Sequence, residues 1–297
     1  MEPTLDAAAG REATFLPDGY VVLSDADVRI HFLDWGGTGR PGIVLVHGLS
    51  QTAWTWTPVA RRLRASRAVV AMDLRGHGLS DAPHDGYELA TLGSDAVAVG
   101  EGSGVLAQPD DRVVVAGHGF GAIVAAAAAA SLGSRCAGLV LVDGGLGSPR
   151  SDGDPDVDEV LRSLDEPPEV LRSMDAFLAD RRGFDPASWD ADQERAARAT
   201  VVETHAGRVV PATRPHALEA CVRAMVRYEA TAVLPRIEAP ITAVVAGPTD
   251  ALDHAVDPGL GAIRVVALAV PGHNLMRYRP DAVAAAILAA DAVSTAV

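Results

Sequence analysis

"VVVAGHGFGAIVAAAAAA", residues 113–130, holds three local structures in eighteen positions. Val113–Ala116 is a short apolar run rich in β-branched residues, the composition of a buried strand. Gly117, Gly119 and Gly121 then alternate with His118 and Phe120, a spacing that predicts a sharp corner where backbone approaches backbone. The alanines that follow predict a buried helix, and the apolar run Ala122–Ala130 is far shorter than the ~20 residues that cross a bilayer. Strand, corner and helix in this order make the first half of a crossover unit, which belongs to a mostly parallel sheet.

Working outward, strand-like runs occur at "YVVLS" (20–24), "VRIHFLDW" (28–35), "GIVLVHG" (42–48), "AVVAMDL" (68–74) and "GLVLVDGG" (138–145), with helix-length segments between the later ones. Their continuous apolarity predicts strands covered on both faces, with the first two paired as an antiparallel opening. "YELATLGSDAVAVGEGSGVLAQ" (87–108) is expected to hold a crossover helix despite its glycines. After Gly145 the texture becomes acidic and arginine-rich, with apolar residues at helical spacing and no strand-like run, so 146–235 is read as a helical cap inserted into a core of 1–145 and 236–297. "ITAVVAG" (241–247) and "IRVVALAVPG" (263–272) resume the sheet, and Pro280 suits the first turn of a closing helix.

The 297 residues can bury a sizeable core, and 48% hydrophobic with 22% charged residues is the balance of a soluble globular chain. A formal net charge of −14 disfavours nucleic acid and anionic membranes as partners. Every basic residue is arginine, which removes Schiff-base and Walker-type lysine chemistry. Cys136 and Cys221 have no metal-ligand spacing, and no nucleotide or flavin motif occurs, so neither metal nor cofactor is expected. The start of the chain lacks the basic and apolar regions of an export signal, and a cytoplasmic protein acting on a small molecule is expected.

"LVHGLSQTAWTW" (45–56), "AMDLRGHGLSDAP" (71–83), "VVAGHGFGA" (114–122), "VVAGPTD" (244–250) and "PGHNLMRYRPD" (271–281) follow one another in the order of the α/β-hydrolase fold superfamily. The chain resembles in particular its capped epoxide hydrolases, haloperoxidases and carbon–carbon-bond hydrolases, over about residues 20–296. The resemblance implies an α/β fold with a mostly parallel central sheet and flanking helices. It also places a nucleophile at the middle of the 117–121 corner, where this chain has Gly119. A covalent acyl or alkyl intermediate at that position is thereby excluded. By the same resemblance His273 is the general base, Asp250 its carboxylate partner, and the backbone amides of Leu49 and Phe120 the oxyanion hole.

Other residues compete for roles. His118 precedes the nucleophile position and is expected to support packing, with catalysis as its reserve role. Asp143 stands at a strand's carboxyl end as a second or relocated acid, although capping the chain's path into the insertion is its simpler reading. Trp54 either lines the pocket or fills core volume. The segment Asp73–Ser80 is expected to be structural, and Arg150, Arg162, Arg172 and Arg181 to be solvated surface.

Three functions follow. The first is an enzyme that uses the His–Asp pair and the oxyanion hole without covalent catalysis, for hydrolysis by activated water, a lyase or dehydratase step, or cyclisation. The second is a serine hydrolase inactivated by Ser-to-Gly replacement at 119. The third is a non-catalytic ligand-binding receptor or scaffold.

Overall fold

The computed structural model describes residues 15–24, 27–147, 157–247 and 258–291. Its centre is an eight-stranded sheet built from β1 (Asp18–Leu23), β2 (Arg29–Asp34), β3 (Gly42–Val46), β4 (Val69–Met72), β5 (Val113–His118), β6 (Cys136–Val142), β9 (Ile241–Ala246) and β10 (Ile263–Leu268), in the order β1-β2-β4-β3-β5-β6-β9-β10. β1 and β2 form the expected antiparallel opening, and every pair from β4 to β10 is parallel.

Strand side chains alternate between two separate cores. Val44, Val46, Val113, Val115, Leu139 and Leu141 face α2 (Leu89–Gly102) and α3 (Phe120–Leu132). Ile43, Leu45, Val114, Ala116, Val140 and Val142 face α1 (Thr57–Leu63) and α10 (Pro280–Leu288). Two covered faces explain the unbroken apolar runs, because period-2 alternation is visible only where one face meets water. Pro280 opens α10 as its sequence position predicts.

The β5–α3 corner is welded to the loop after β3. A Cβ on Gly121 would lie 2.3 Å from the His47 carbonyl oxygen and 2.4 Å from that of Val46, and one on Gly117 would lie 2.0 Å from the Gly121 oxygen. Both positions must be glycine for strand and helix to approach this closely.

Between β6 and β9 the chain forms α4 (Val157–Ser163), α5 (Met174–Phe184), α6 (Ala191–Ala199), β7 (Val201–Glu203), β8 (Val209–Pro211), α7 (Pro215–Val226) and α8 (Ala230–Val233). Side chains of Ser173 and Asp190 cap α5 and α6 by accepting from first-turn amides. The insertion is therefore not wholly helical, which corrects the expectation of no strand there: β7 and β8 pair antiparallel across a turn containing Gly207 at φ 75°. Phe177, Leu178, Val201 and Val209 give it a small core of its own. Ala217, Cys221 and Tyr228 join the main core, and Arg61 of α1 donates to Asp192 of α6 at 2.5 Å.

Candidate active site

β5 delivers the chain to Gly119, which has φ 55° and ψ −117°, a conformation that L side chains adopt only under strain. Its amide donates to the Val142 carbonyl (2.9 Å) and its carbonyl accepts from Ala122 (3.1 Å), tying β5, β6 and α3 at one point. A Cβ placed on Gly119 would lie 3.0 Å from Nε2 of His273. The imidazole thus stands over the vacant side-chain position.

His273 Nδ1 lies 2.5 Å from Oδ2 of Asp143. Asp143 follows the last residue of β6 in a left-handed conformation (φ 47°) that turns its carboxylate toward β9, where Oδ1 accepts from the Ala246 amide at 2.9 Å. Burial raises the Asp143 pKa, but the His273 hydrogen bond, the Ala246 amide and the neighbouring imidazoles outweigh it and hold the carboxyl below its usual range. An ionised Asp143 accepts from Nδ1–H, which leaves the Nε2 lone pair facing position 119. Among the described residues Asp143 is the carboxylate that hydrogen-bonds His273, besides holding the Ala246 amide. Asp250, the expected partner, lies outside the described residues.

His118 sits behind this pair. It is 1% exposed, its ring centroid is 4.4 Å from that of His273, Nε2 meets the His273 carbonyl at 3.0 Å and Nδ1 meets Gln51 Oε1 at 3.1 Å. Gln51 Oε1 also accepts from the Gly48 amide at 3.1 Å, so this side chain, unnoticed in the sequence, links the loop after β3 to the histidine loop. Phe120 is the first residue of α3, where an amide has no intrahelical acceptor, and its N–H points out of the helix start at the corner. Trp56 is fully buried in the core, whereas Trp54 packs edge-on against Trp35 and carries the Arg195 guanidinium over its face. Asp73 accepts from Ala53, Leu79 and His31, and Ser80 donates to the Asp73 carbonyl, so this loop is structural as expected.

A cavity of about 390 Å³ opens between the core loops and the insertion; His273, Asp143 and Gly119 do not line it, although chain neighbours of His273 do. Ser50 and Gln51, adjacent to Leu49, and Asn274, adjacent to His273, form its inner wall, while Phe177, Trp189 and Thr213 belong to the outer one. Among the described residues no group of three or more His, Cys, Asp or Glu side chains is placed to hold a metal ion, and no helix is long and apolar enough to cross a membrane.

The sequence model of the Alpha/beta hydrolase family matches residues 43–286. The chain belongs to this family. Curated relatives of this hydrolase-family chain include Epoxide hydrolase 4 of Mus musculus, 32% identical over 108 residues (36% of this chain and 29% of that protein). N-formylmaleamate deformylase of Pseudomonas putida is 35% identical over 137 residues (46% of this chain and 48% of that protein). The alignments thus span less than half the length of either relative. Among solved structures, that of E-2-(acetamidomethylene)succinate hydrolase superposes with a TM-score of 0.76 at 20% identity, covering 92% of this chain and 98% of the other. The thioesterase domain from the curacin biosynthetic pathway superposes with a TM-score of 0.72 at 22% identity, covering 92% and 99%. These superpositions establish the α/β-hydrolase fold.

Three buried histidines around the site make stability pH-dependent. Burial, reinforced by the charge of nearby His47, pushes His77 down to about 3. Burial and then the charge of His273 push His118 down to about 4, and burial lowers His47. Each folded pKa lies below the unfolded value, so the stability tied to the neutral rings is complete above about pH 6.5 and declines as pH falls toward the folded pKa. His77 and His118 should each cost stability on the order of 1 kcal/mol between neutrality and pH 5.5. Urea unfolding at pH 7.5 and 5.5 reads this directly, and equal midpoints at the two would show that the rings are protonated in the folded state.

Proposed function

We propose that this chain is an α/β-hydrolase-family enzyme that acts on a small organic substrate without a covalent intermediate. One observation carries the reading: a carboxylate-backed imidazole aims Nε2 at a corner whose side chain is absent. The space above Gly119 then admits a water, or a substrate O–H or C–H, within reach of that nitrogen. In hydrolysis, His273 takes a proton from the water as its oxygen adds to the substrate carbonyl carbon. The amides of Leu49 and Phe120 hold the resulting oxyanion, and collapse expels the leaving group, which takes the proton back from Nε2. Asp143 keeps the ring in the required tautomer and stabilises the imidazolium. Residues 146–235 serve as the lid that encloses the cavity and excludes bulk water.

Relatives named as a deformylase of N-formylmaleamate and a hydrolase of E-2-(acetamidomethylene)succinate support hydrolysis over the lyase, dehydratase and cyclisation chemistries open to the same machinery. With p-nitrophenyl acetate as probe, product should accumulate linearly from the first turnover and the intact mass of the protein should stay unchanged. An initial burst with acetylated protein would locate a nucleophile elsewhere and end this reading.

A second reading, a serine hydrolase that has lost its nucleophile, is favoured by the direction of the Gly119 Cβ position, which points at Nε2 as a serine would require. The two readings part on the Gly119→Ser variant.

A further inference from the structure

The cavity between the core loops and the insertion carries three charged side chains among the described residues: Glu166, Arg181 and Arg277. Two of them neutralise each other, since Arg181 is ion-paired to Glu166 and also reaches Asp180. Arg277 is different. Its Nε donates to Ser188 Oγ at 2.5 Å and its Nη2 to the Asp185 carbonyl at 2.7 Å, both uncharged acceptors. Among the described residues no carboxylate stands within 4.0 Å of this guanidinium, and Nη1 donates to none of them. The Asp185 carboxylate turns instead to Ser188 Oγ (2.7 Å) and the Ala187 amide (3.2 Å), although it is near enough for the Arg277 charge to contribute to its lowered pKa.

The planar group is pre-positioned between aromatic rings, 5.9 Å from the centroid of Trp189 and 5.8 Å from that of Tyr278. A half-buried, oriented guanidinium whose direct hydrogen-bond partners among the described residues are neutral gains from an incoming anion even with the Asp185 carboxylate nearby, and its forked donors match a carboxylate. With a net charge of −14 on the chain, a local cation offsets the repulsion that an anionic molecule meets. Asn274, which also lines the cavity, has its buried Oδ1 without a hydrogen-bond partner among the described residues, an acceptor open to an N–H or O–H of the bound molecule.

We propose that Arg277 is the anion anchor of this cavity, and that the molecule it takes is a small aliphatic carboxylate carrying an amide or hydroxyl donor. The proposal rests on the catalytic reading above for what happens to that molecule, and on the cavity alone for its binding. A volume of about 390 Å³ sits at the lower end of small-molecule pockets, consistent with a compact acid. Arg277 acts as a specificity residue, holding the far end of the substrate while the reacting carbon lies over Gly119.

Calorimetric titration of the full chain with succinamate, and with its neutral counterpart succinamide, tests the anchor. The intact protein should bind succinamate at least about tenfold more tightly, as one charge-assisted bidentate contact provides. That preference should shrink as salt is raised. Arg277→Gln should reduce it to within about twofold, while Arg277→Lys keeps the salt dependence but loses part of the selectivity. Should the glutamine variant fail to fold, the lysine variant carries the test on its own. An undiminished preference in either variant overturns the proposal, as does failure of the intact protein to bind succinamate even at tens of millimolar. Failures of the two readings separate cleanly: carboxylate binding through Arg277 without any turnover leaves the anchor standing and ends the catalytic reading. Turnover of neutral esters together with succinamate binding that ignores Arg277 does the reverse.

Discussion

Gly119→Ser should turn this protein into a covalent serine esterase. The backbone at 119 already has the φ of 55° and ψ of −117° that present a side chain to the imidazole, and the Cβ position lies 3.0 Å from Nε2. That separation is tight, but His273 is 61% exposed on its side chain and can yield a few tenths of an ångström. A serine hydroxyl there completes a nucleophile, base and acid chain with Asp143. A complete triad is worth on the order of 10⁶ in turnover, and an introduced serine should recover between about 10² and 10⁶ on activated esters. A pre-steady-state burst and labelling by a fluorophosphonate should accompany the gain. The variant should also lose about 1–3 kcal/mol of stability, because a Cβ now occupies a left-handed corner. Absence of both gain and labelling would mean that the imidazole does not face the corner in solution. What happens to the protein's own substrate separates the readings: added serine suppresses non-covalent turnover by filling the water's place, but restores turnover in an inactivated serine hydrolase.

Removing either member of the dyad should bring down the unmodified protein's activity by a comparably large factor. His273→Ala deletes the base, and Asp143→Asn leaves the geometry but donates where it must accept, holding the ring in the tautomer with Nε2 protonated. Wrong-tautomer substitutions in Ser-His-Asp enzymes cost about 10⁴ in kcat, and a loss of similar size is expected here. Asp250→Asn should cost little in the same assay if Asp143 is the sole acid. The result that would undo this assignment is the inverse, an Asp250→Asn variant that is dead beside an active Asp143→Asn one. Because the folded Asp143 pKa is depressed, the stabilisation its ionised form provides is complete above the unfolded value of about 4 and lost only as pH falls through the lower folded value. Intact folding of the Asn variant at neutral pH is a necessary control.

The core was legible because five motifs occur in chain order and the inner strands β3, β4 and β6 are apolar throughout, a pattern that burial on both sheet faces requires. His273 was legible for a related reason: a histidine after the last strand in "PGHN" has few other places to go. Asp143 was legible only as an alternative acid, because its contact with His273 depends on a left-handed φ of 47° that swings the carboxylate to β9, and nothing in "LVDGG" announces that turn. The hairpin of β7 and β8 escaped detection because three-residue strands are shorter than any useful periodic window. Its signal was present in "VVETHAGRVV", where paired valines flank a glycine turn. Gln51 and Arg277 carry no local signature at all. Their positions come from tertiary packing between elements far apart in the chain, as does the neutralisation of Arg181 that singles Arg277 out.

The alanine helix α3 has a mechanical consequence. It is buried along nearly its whole length beneath the corner, and alanine has no rotamers to freeze, so its ordering costs almost no side-chain entropy. A platform of this kind cannot deform to suit different guests: a side chain longer than a methyl at the buried Ala122, Ala125, Ala126, Ala128 or Ala129 would have to displace its neighbours in the core. Adaptation to new guests is thereby confined to the far wall, where short elements with a separate small core can drift while the floor beneath them stays put.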